Sequence, residues 1–404
     1  MSPSRPMRTL LFSTLYPSSV RPHHGIFVET RLRHLLQSGQ VDTRVVAPVP
    51  WFPSTWPVFG QWGRIAATPD FESRNGVDVH HPRYPLPPKV GMHLAPWLLA
   101  WGARASVARL LAEGWDFDLI DAHYFYPDGV AASILARWFN KPFVVTARGS
   151  DLTLIPRHAV PRHLIRRTTR RAAASIGVSA SLAQHLRELG ADDSKLHVMR
   201  NGVDLSRFSP QPREALRAVL GVGEAPLLLS VGHLIELKGH HVAIEALAAL
   251  ADRRAHLVIV GEGPERTSLQ ERAQRLGVGE RVHLAGAVLN EQLATWYSAA
   301  DVLVLASSRE GWPNVLLESM ACGTPVVATR VGGTPEIVAS SVAGRLVDTR
   351  AAVPVADAIA DLLAAQMPRE AVRAYAEGFS WQQTTDAQLA LFRRVIGGGD
   401  MAHA

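Results

Sequence analysis

The chain has 404 residues, of which 47% are hydrophobic and 19% charged, with 42 Lys and Arg against 36 Asp and Glu. That balance excludes a disordered chain and, at this length, predicts two or three domains. A lone cysteine, Cys322, excludes intrachain disulfides and thiolate zinc clusters, and the net charge of +6 favours anionic partners.

No stretch offers the ~18–20 uncharged apolar residues of a membrane-spanning helix. The best candidate, 93–112, is interrupted by Arg104 and Arg109. The apolar run after Arg5 and Arg8 is short for a secretory leader and reads as a first buried strand. Further short apolar runs follow at 43–47, 119–122, 143–146, 175–178 and 197–199. Runs of this length, rich in Val, Ile and Leu, predict strands buried on both faces of a parallel sheet. Helical patterns alternate with them at 27–37, 95–112, 129–139, 162–173 and 179–189.

The pattern then restarts. Strands are predicted at 227–231, 257–260, 282–284, 302–306 and 325–328, with helices at 238–250, 266–276, 291–298 and 315–321. Two successive α/β halves follow, with a seam punctuated by Pro210, Pro212, Gly221 and Gly223. Ligands of open α/β sheets sit beyond the carboxyl ends of the strands, so a cleft between two such domains is a natural site. One segment, 48–88, is proline-rich and carries Trp51, Trp56 and Trp62. It reads either as a substrate loop or as a packed flap.

Residues 307–328, SSREGWPNVLLESMACGTPVVA, concentrate the chemistry. Glu310 follows a strand, and Asn314 is a candidate N-cap for a helix starting near Val315. That helix start favours a phosphate, Glu318 one turn further in suits a ribose diol, and Glu310 suits a sugar. This stretch resembles the donor-site motif of the retaining glycosyltransferases of family 4, in which two glutamates stand with seven residues between. Residues 200–210, the loop VGHLIELKG at 231–239, VGEGPE at 260–265 and GGTPE at 332–336 also resemble that family's segments. Tyr16-Pro17 with HGIFVETR at 24–31 is similar to a branch acting in bacterial cell-surface polysaccharide synthesis.

The resemblance implies a GT-B fold: two Rossmann-like α/β domains facing across a cleft. Residues 1–205 would bind acceptor, 206–378 would bind a nucleotide-sugar, and a helix at 379–396 would pack back on the first domain, with Trp381 as an anchor. It implies sugar transfer with retention onto a glycan or lipid-linked acceptor, in the cytoplasm; the residues themselves offer no clear metal-binding carboxylate pair, so no cofactor or metal is expected. Glu310, His123 and Lys238 would be catalytic. Glu318, Lys238, His233, Gly232, Gly311, Trp312, Pro313, Asn314 and Val315 would bind donor. His233 stands where the family usually has Arg, which leaves Lys238 more of the phosphate load. Gly25, Arg148 and Asp151 would meet acceptor or phosphate. Many family members have His where Arg148 stands, and a guanidinium suits an anion rather than a base role. His123 otherwise reads as a capping or core histidine.

The pair of glycines at Gly261 and Gly263 lacks the third glycine of a dinucleotide fingerprint, because Arg266 occupies its place. Arg157, Arg162, Arg166, Arg167, Arg170 and Arg171 lie in a stretch, 152–187, without an acid. Arg162, Arg166 and Arg170 share a helix face, flanked by Leu164 and Ile165. That face reads as an anionic-lipid surface or as a solvated helix; no nucleic-acid motif accompanies it. Two other functions stay open: a sugar-nucleotide epimerase of the same architecture, and a non-catalytic glycan-binding protein.

Overall fold

A computed structural model describes residues 5–87 and 91–400. The chain forms two compact units. The first comprises Met1–Arg200 with Gln382–Ala404, and the second Asn201–Trp381.

The first unit is built on an eight-stranded sheet. Its strands lie in the order Leu196–Val198, Ala174–Gly177, Phe143–Ala147, Leu119–His123, Met7–Phe12, Val41–Val46, Val77–His80 and Phe71–Arg74. All neighbours pair in parallel except the last two. Leu119–His123 and Phe143–Ala147 are buried along their whole length, as strands of a doubly covered sheet are, and Leu119–His123 buries Asp121 and His123 with its apolar residues. Chain direction of winding reverses between Met7–Phe12 and Leu119–His123, so the switch point lies at Phe12 and His123.

The second unit has six parallel strands in the order Val282–Gly286, His256–Val260, Leu227–Val231, Val302–Leu305, Val326–Thr329 and Gly344–Val347. This is the 3-2-1-4-5-6 order of a doubly wound sheet, with its switch point between Leu227–Val231 and Val302–Leu305. Leu228, Ile244, Leu247, Ile259 and Ile359 are fully buried in its core.

The structure departs from the sequence reading in four places. Within 48–87, Asn75 and Gly76 both have positive φ, 51° and 78°, and turn a two-residue hairpin between Phe71–Arg74 and Val77–His80. The same segment holds a helix at Gln61–Ala66 and pairs Val49–Pro50 with Arg83–Tyr84; Pro88 lies outside the described residues. Strand Gly344–Val347 and helices Ala352–Ala365 and Arg369–Glu377 add to the second unit. The last helix runs Trp381–Asp400, four residues beyond the expected end at 396, and 401–404 lie outside the described residues. Finally, Ile165 is fully buried and Leu164 half-buried, so the outward face of the arginine helix Ala159–Arg171 is basic with only part of Leu164 as apolar flank. No helix among the described residues is long and apolar enough to cross a membrane.

Candidate active site

At the switch point of the second sheet, the strand Val302–Leu305 ends and the loop carrying Glu310 begins. Glu310 Oε1 accepts from Lys238 Nζ at 2.8 Å and from Ser307 Oγ at 2.7 Å. Both contacts fall on Oε1, and Lys238 spends one of its three N–H donors there. The arrangement leaves a carboxylate oxygen and two ammonium hydrogens for a ligand. Backbone crowding fixes this loop. A Cβ on Gly332, at φ 53°, would stand 1.7 Å from the Glu310 carbonyl oxygen. One on Gly239, at φ 74°, would stand 2.0 Å from the Ala306 carbonyl oxygen. Only glycine permits both approaches.

Helix Asn314–Ala321 follows. Asn314 is its first residue rather than its cap: Pro313 stands at the N-cap, and no side chain caps the helix. The Asn314 amide oxygen is taken instead by Asn201 Nδ2 at 3.2 Å. Trp312 is buried and donates its indole N–H to the Asn201 carbonyl at 3.1 Å. Gly311 and Pro313 are buried beside it, and Val315 is half-buried at the helix start. The strand-to-helix loop is thus stapled to the segment that opens the second unit.

Glu318 is half-buried, and Tyr297 donates its phenolic hydrogen to Glu318 Oε2 at 2.8 Å. Burial pushes the Glu318 carboxyl up to about 7, against the opposing pull of the Tyr297 hydrogen bond and Arg207. Tyr297 was not expected from the sequence, because it lies 21 residues upstream on helix Leu293–Ala299. Gly232 sits beside the Lys238 stem: a Cβ placed on it would stand 3.6 Å from the Lys238 Cγ and Cδ. His233 is exposed, and its carbonyl accepts from His240 Nε2 at 3.3 Å. His240 is fully buried, hydrogen-bonded through Nδ1 to Ser230, and held neutral by burial, with its pKa lowered to about 4.

In the first unit, His123 ends its strand at the switch point, but its ring is only 1% exposed. Both nitrogens are engaged. The Arg148 guanidinium donates to Nδ1, so Nδ1 is the acceptor, and the Nε2 proton is directed at Asp121 Oδ2, 3.3 Å away. Burial, reinforced by Arg148, lowers the His123 pKa to about 4 despite Asp121. The imidazole is therefore neutral and fixed in one tautomer. Arg148 is half-buried, with its guanidinium 5.3 Å from the Phe27 ring centre, and desolvation lowers its pKa to about 9.

Asp151 does not reach outward. Its buried carboxylate accepts the backbone N–H groups of Phe125, Arg148 and Gly149 at 2.8, 3.1 and 2.7 Å. It holds the backbone of Arg148 in place. Gly25, at φ 71°, precedes helix Ile26–Gln37, with the Leu15 carbonyl against it.

Two further groups carry this site and were missed. Asp128 is fully buried and accepts from the Thr14 backbone and hydroxyl and from Ser13 Oγ, at 2.9, 3.0 and 3.2 Å. Burial pushes its carboxyl up to about 7. Gln388, in the last helix, accepts from Arg31 Nε at 2.7 Å and donates to Asp121 Oδ2 at 3.0 Å. A hydrogen-bonded chain thus runs from Arg31 through Gln388, Asp121 and His123 to Arg148.

The triplet Asp116-Phe117-Asp118 has the form of a metal-binding pair, yet it stands just before strand Leu119–His123, at the end opposite His123. Asp116 pairs with Lys141 at 2.6 Å and Asp118 with Arg5 at 2.7 Å. Among the described residues, no group of three His, Cys, Asp or Glu side chains is placed to hold a metal ion.

Comparison with known proteins agrees with this architecture. The chain matches the family Glycosyl transferases group 1 over residues 212–379 and Glycosyltransferase Family 4 over 58–207. It is 30% identical over 342 residues to the teichuronic acid biosynthesis glycosyltransferase TuaC of Bacillus subtilis strain 168, covering 82% of this chain and 83% of that one. Sucrose-phosphate synthase from Thermosynechococcus elongatus superimposes with a TM-score of 0.79 at 22% identity, covering 98% of this chain and all of that one. HepE from Anabaena, in complex with UDP-glucose, does so with a TM-score of 0.71 at 19% identity, over 95% and 98% of the two chains. With two doubly wound units, a glutamate pair at the second switch point and a relative this similar over most of its length, the chain belongs to the family 4 glycosyltransferases of the GT-B fold.

Proposed function

We propose that this glycosyltransferase moves a sugar from a nucleotide-sugar to an acceptor hydroxyl with retention, in the assembly of a bacterial glycan. The observation that carries the reading is the Lys238–Glu310 pair at the switch point of the second sheet. The likeness of the fold to HepE with UDP-glucose and the similarity to TuaC support it.

The chemistry follows from the residues. The bond from the sugar's anomeric carbon to the diphosphate oxygen breaks, and charge accumulates on the departing diphosphate. The two remaining Lys238 donors neutralise it, which is transition-state stabilisation rather than ground-state binding. Glu310, through the oxygen left open, accepts a hydroxyl of the transferred sugar. Glu318 accepts from the ribose diol, and its Tyr297 partner fixes the carboxylate. The acceptor oxygen bonds to the anomeric carbon on the face the diphosphate leaves, and passes its proton to a diphosphate oxygen.

In the first unit, Arg148 binds an anionic group. His123 and Asp121 are positioning residues: a neutral, buried imidazole accepts from Arg148 and cannot draw the arginine's charge away. A lipid-linked glycan is the acceptor class proposed. Arg157, Arg166 and Arg170 are exposed and would favour an anionic membrane surface, whereas Arg162 folds back to donate from Nε to the Pro156 carbonyl at 2.7 Å.

Steady-state kinetics on Lys238→Ala test the reading, because the lysine's role is to offset leaving-group charge. A fall in kcat of about 10²–10³ with little change in donor KM is expected. A raised KM with kcat unchanged would remove Lys238 from the reaction, and inversion at the anomeric carbon, read by NMR of the product, would remove retention.

A further inference from the structure

The first unit exposes apolar surface far beyond what its core needs. Trp51, Trp56 and Val58 are 58%, 70% and 79% exposed, and Trp101 is 65% exposed. Trp97 and Leu94 stand out from the same helix, Gly91–Ala112, at spacings of four and three, so they share a face with Trp101. Between this helix and the proline-rich segment runs a groove of about 920 Å³, lined among others by Trp51, Phe52, Trp62, Leu86, Met92 and Leu94. The aromatic side is ordered: Phe52 stacks on Trp62 at 5.9 Å and meets Phe59 edge-on at 5.3 Å. Scattered exposed hydrophobics need no explanation, but exposed tryptophans gathered on the two elements that wall one apolar groove point to an interaction site.

The charge pattern selects the partner. Residues 43–69 and 79–112 contain no Asp or Glu. The cations among them include Arg64, Arg104 and Arg109, all exposed. Arg104 lies over the ring of the exposed Trp138, 5.3 Å from its centre. Apart from the hairpin region that carries Asp70, Glu72 and Asp78, the exposed tryptophans stand beside cations without acids, the composition of a bilayer interface, where indoles sit at headgroup depth. A two-fold pairing of this face with its own copy would set these cations against themselves.

We propose that this tryptophan-lined face docks into the surface of an anionic lipid bilayer, with the groove receiving acyl chain. The proposal stands on the first unit alone and does not rest on the transfer reaction.

Full-length protein is mixed with vesicles of phosphatidylglycerol and phosphatidylcholine in equal parts, and with vesicles carrying brominated acyl chains. Co-sedimentation that weakens with salt, together with quenching of tryptophan fluorescence by the brominated chains, is expected. Trp97→Ser with Trp101→Ser should lower partitioning by about tenfold or more and reduce the quenching, with the thermal melt lowered by only a few degrees because the two residues are 45% and 65% exposed. The unmodified protein gives an independent reading: binding without quenching by brominated chains would overturn the proposal. So would full binding by the double variant. Loss of binding in Arg157→Gln, Arg166→Gln, Arg170→Gln with the tryptophan variant unaffected would transfer the contact to the arginine helix. A dimer that the double variant dissociates, without vesicle binding, would make the face a protein interface instead.

Discussion

Replacing Glu318 by glutamine separates two properties that the native carboxylate combines. Glutamine keeps an oxygen to accept from Tyr297 but carries no charge. In the folded protein burial raises the Glu318 pKa from 4.5 to about 7. Because the native value lies above the unfolded one, the unfolded chain ionises first, and native stability is lost as pH rises from about 4.5 through 7. At about 1.4 kcal/mol per pH unit, the gap amounts to roughly 3 kcal/mol above pH 7 and under about 1 kcal/mol at pH 5. Glu318→Gln escapes this cost. Its stability relative to the native protein should therefore grow by about 2–3 kcal/mol between pH 5 and pH 8. For a unit of this size that corresponds to a melting-temperature advantage widening by roughly 5–10 °C. Asp128 also titrates near 7, but it does so in both proteins and cancels in the difference. Thermal melts of both proteins without ligand, at pH 5, 6, 7 and 8, read the effect. A constant offset across that range would refute the claim that a desolvated Glu318 carboxyl governs it.

Two other perturbations are informative. Gly332→Ala puts a methyl against the Glu310 carbonyl, so the loop must move; nucleotide-sugar turnover should fall at least about tenfold, and native turnover would show that the Glu310 backbone is not held by that approach. Arg148→Lys keeps the charge but loses the fork that reaches both His123 and an anion, so the KM of the anion-bearing substrate should rise by about tenfold, and Arg148→Ala further still; unchanged KM values in both variants would leave Arg148 a structural residue.

The fold was legible because its signal is local. The run LLLSV at Leu227–Val231 is an apolar strand whatever surrounds it, and it is buried at every position. The hairpin turn at Asn75-Gly76 is an equally local signal, but it lies inside a proline-rich stretch whose composition reads as irregular chain. Helix Ala352–Ala365 was hidden by Pro354, which a first turn tolerates. Glu310, Glu318 and Lys238 could be found because motif spacing places them; their partners could not. Tyr297 and Gln388 meet Glu318 and Asp121 across 21 and 267 residues, and no short-range pattern encodes such a pairing. His123 shows the limit most clearly. Its position at a strand end followed from the sequence, but its burial and its Arg148 partner depend on the packing of three separate elements.

The Arg31–Gln388 hydrogen bond has a consequence for how the chain is made. Its two ends are separated by 357 residues, and residues 201–381 in between form a unit of their own. During synthesis at about 5–20 residues per second, the second unit is complete while the first still lacks its last helix. For roughly 20–70 seconds Arg31 has emerged without the side chain that satisfies its Nε in the finished protein. The polypeptide is thus an outer domain with an inner one inserted, and the half that begins first on the ribosome is the half that finishes last. A stop codon between residues 382 and 388 would leave the second unit whole and the first one with a buried arginine short of its partner.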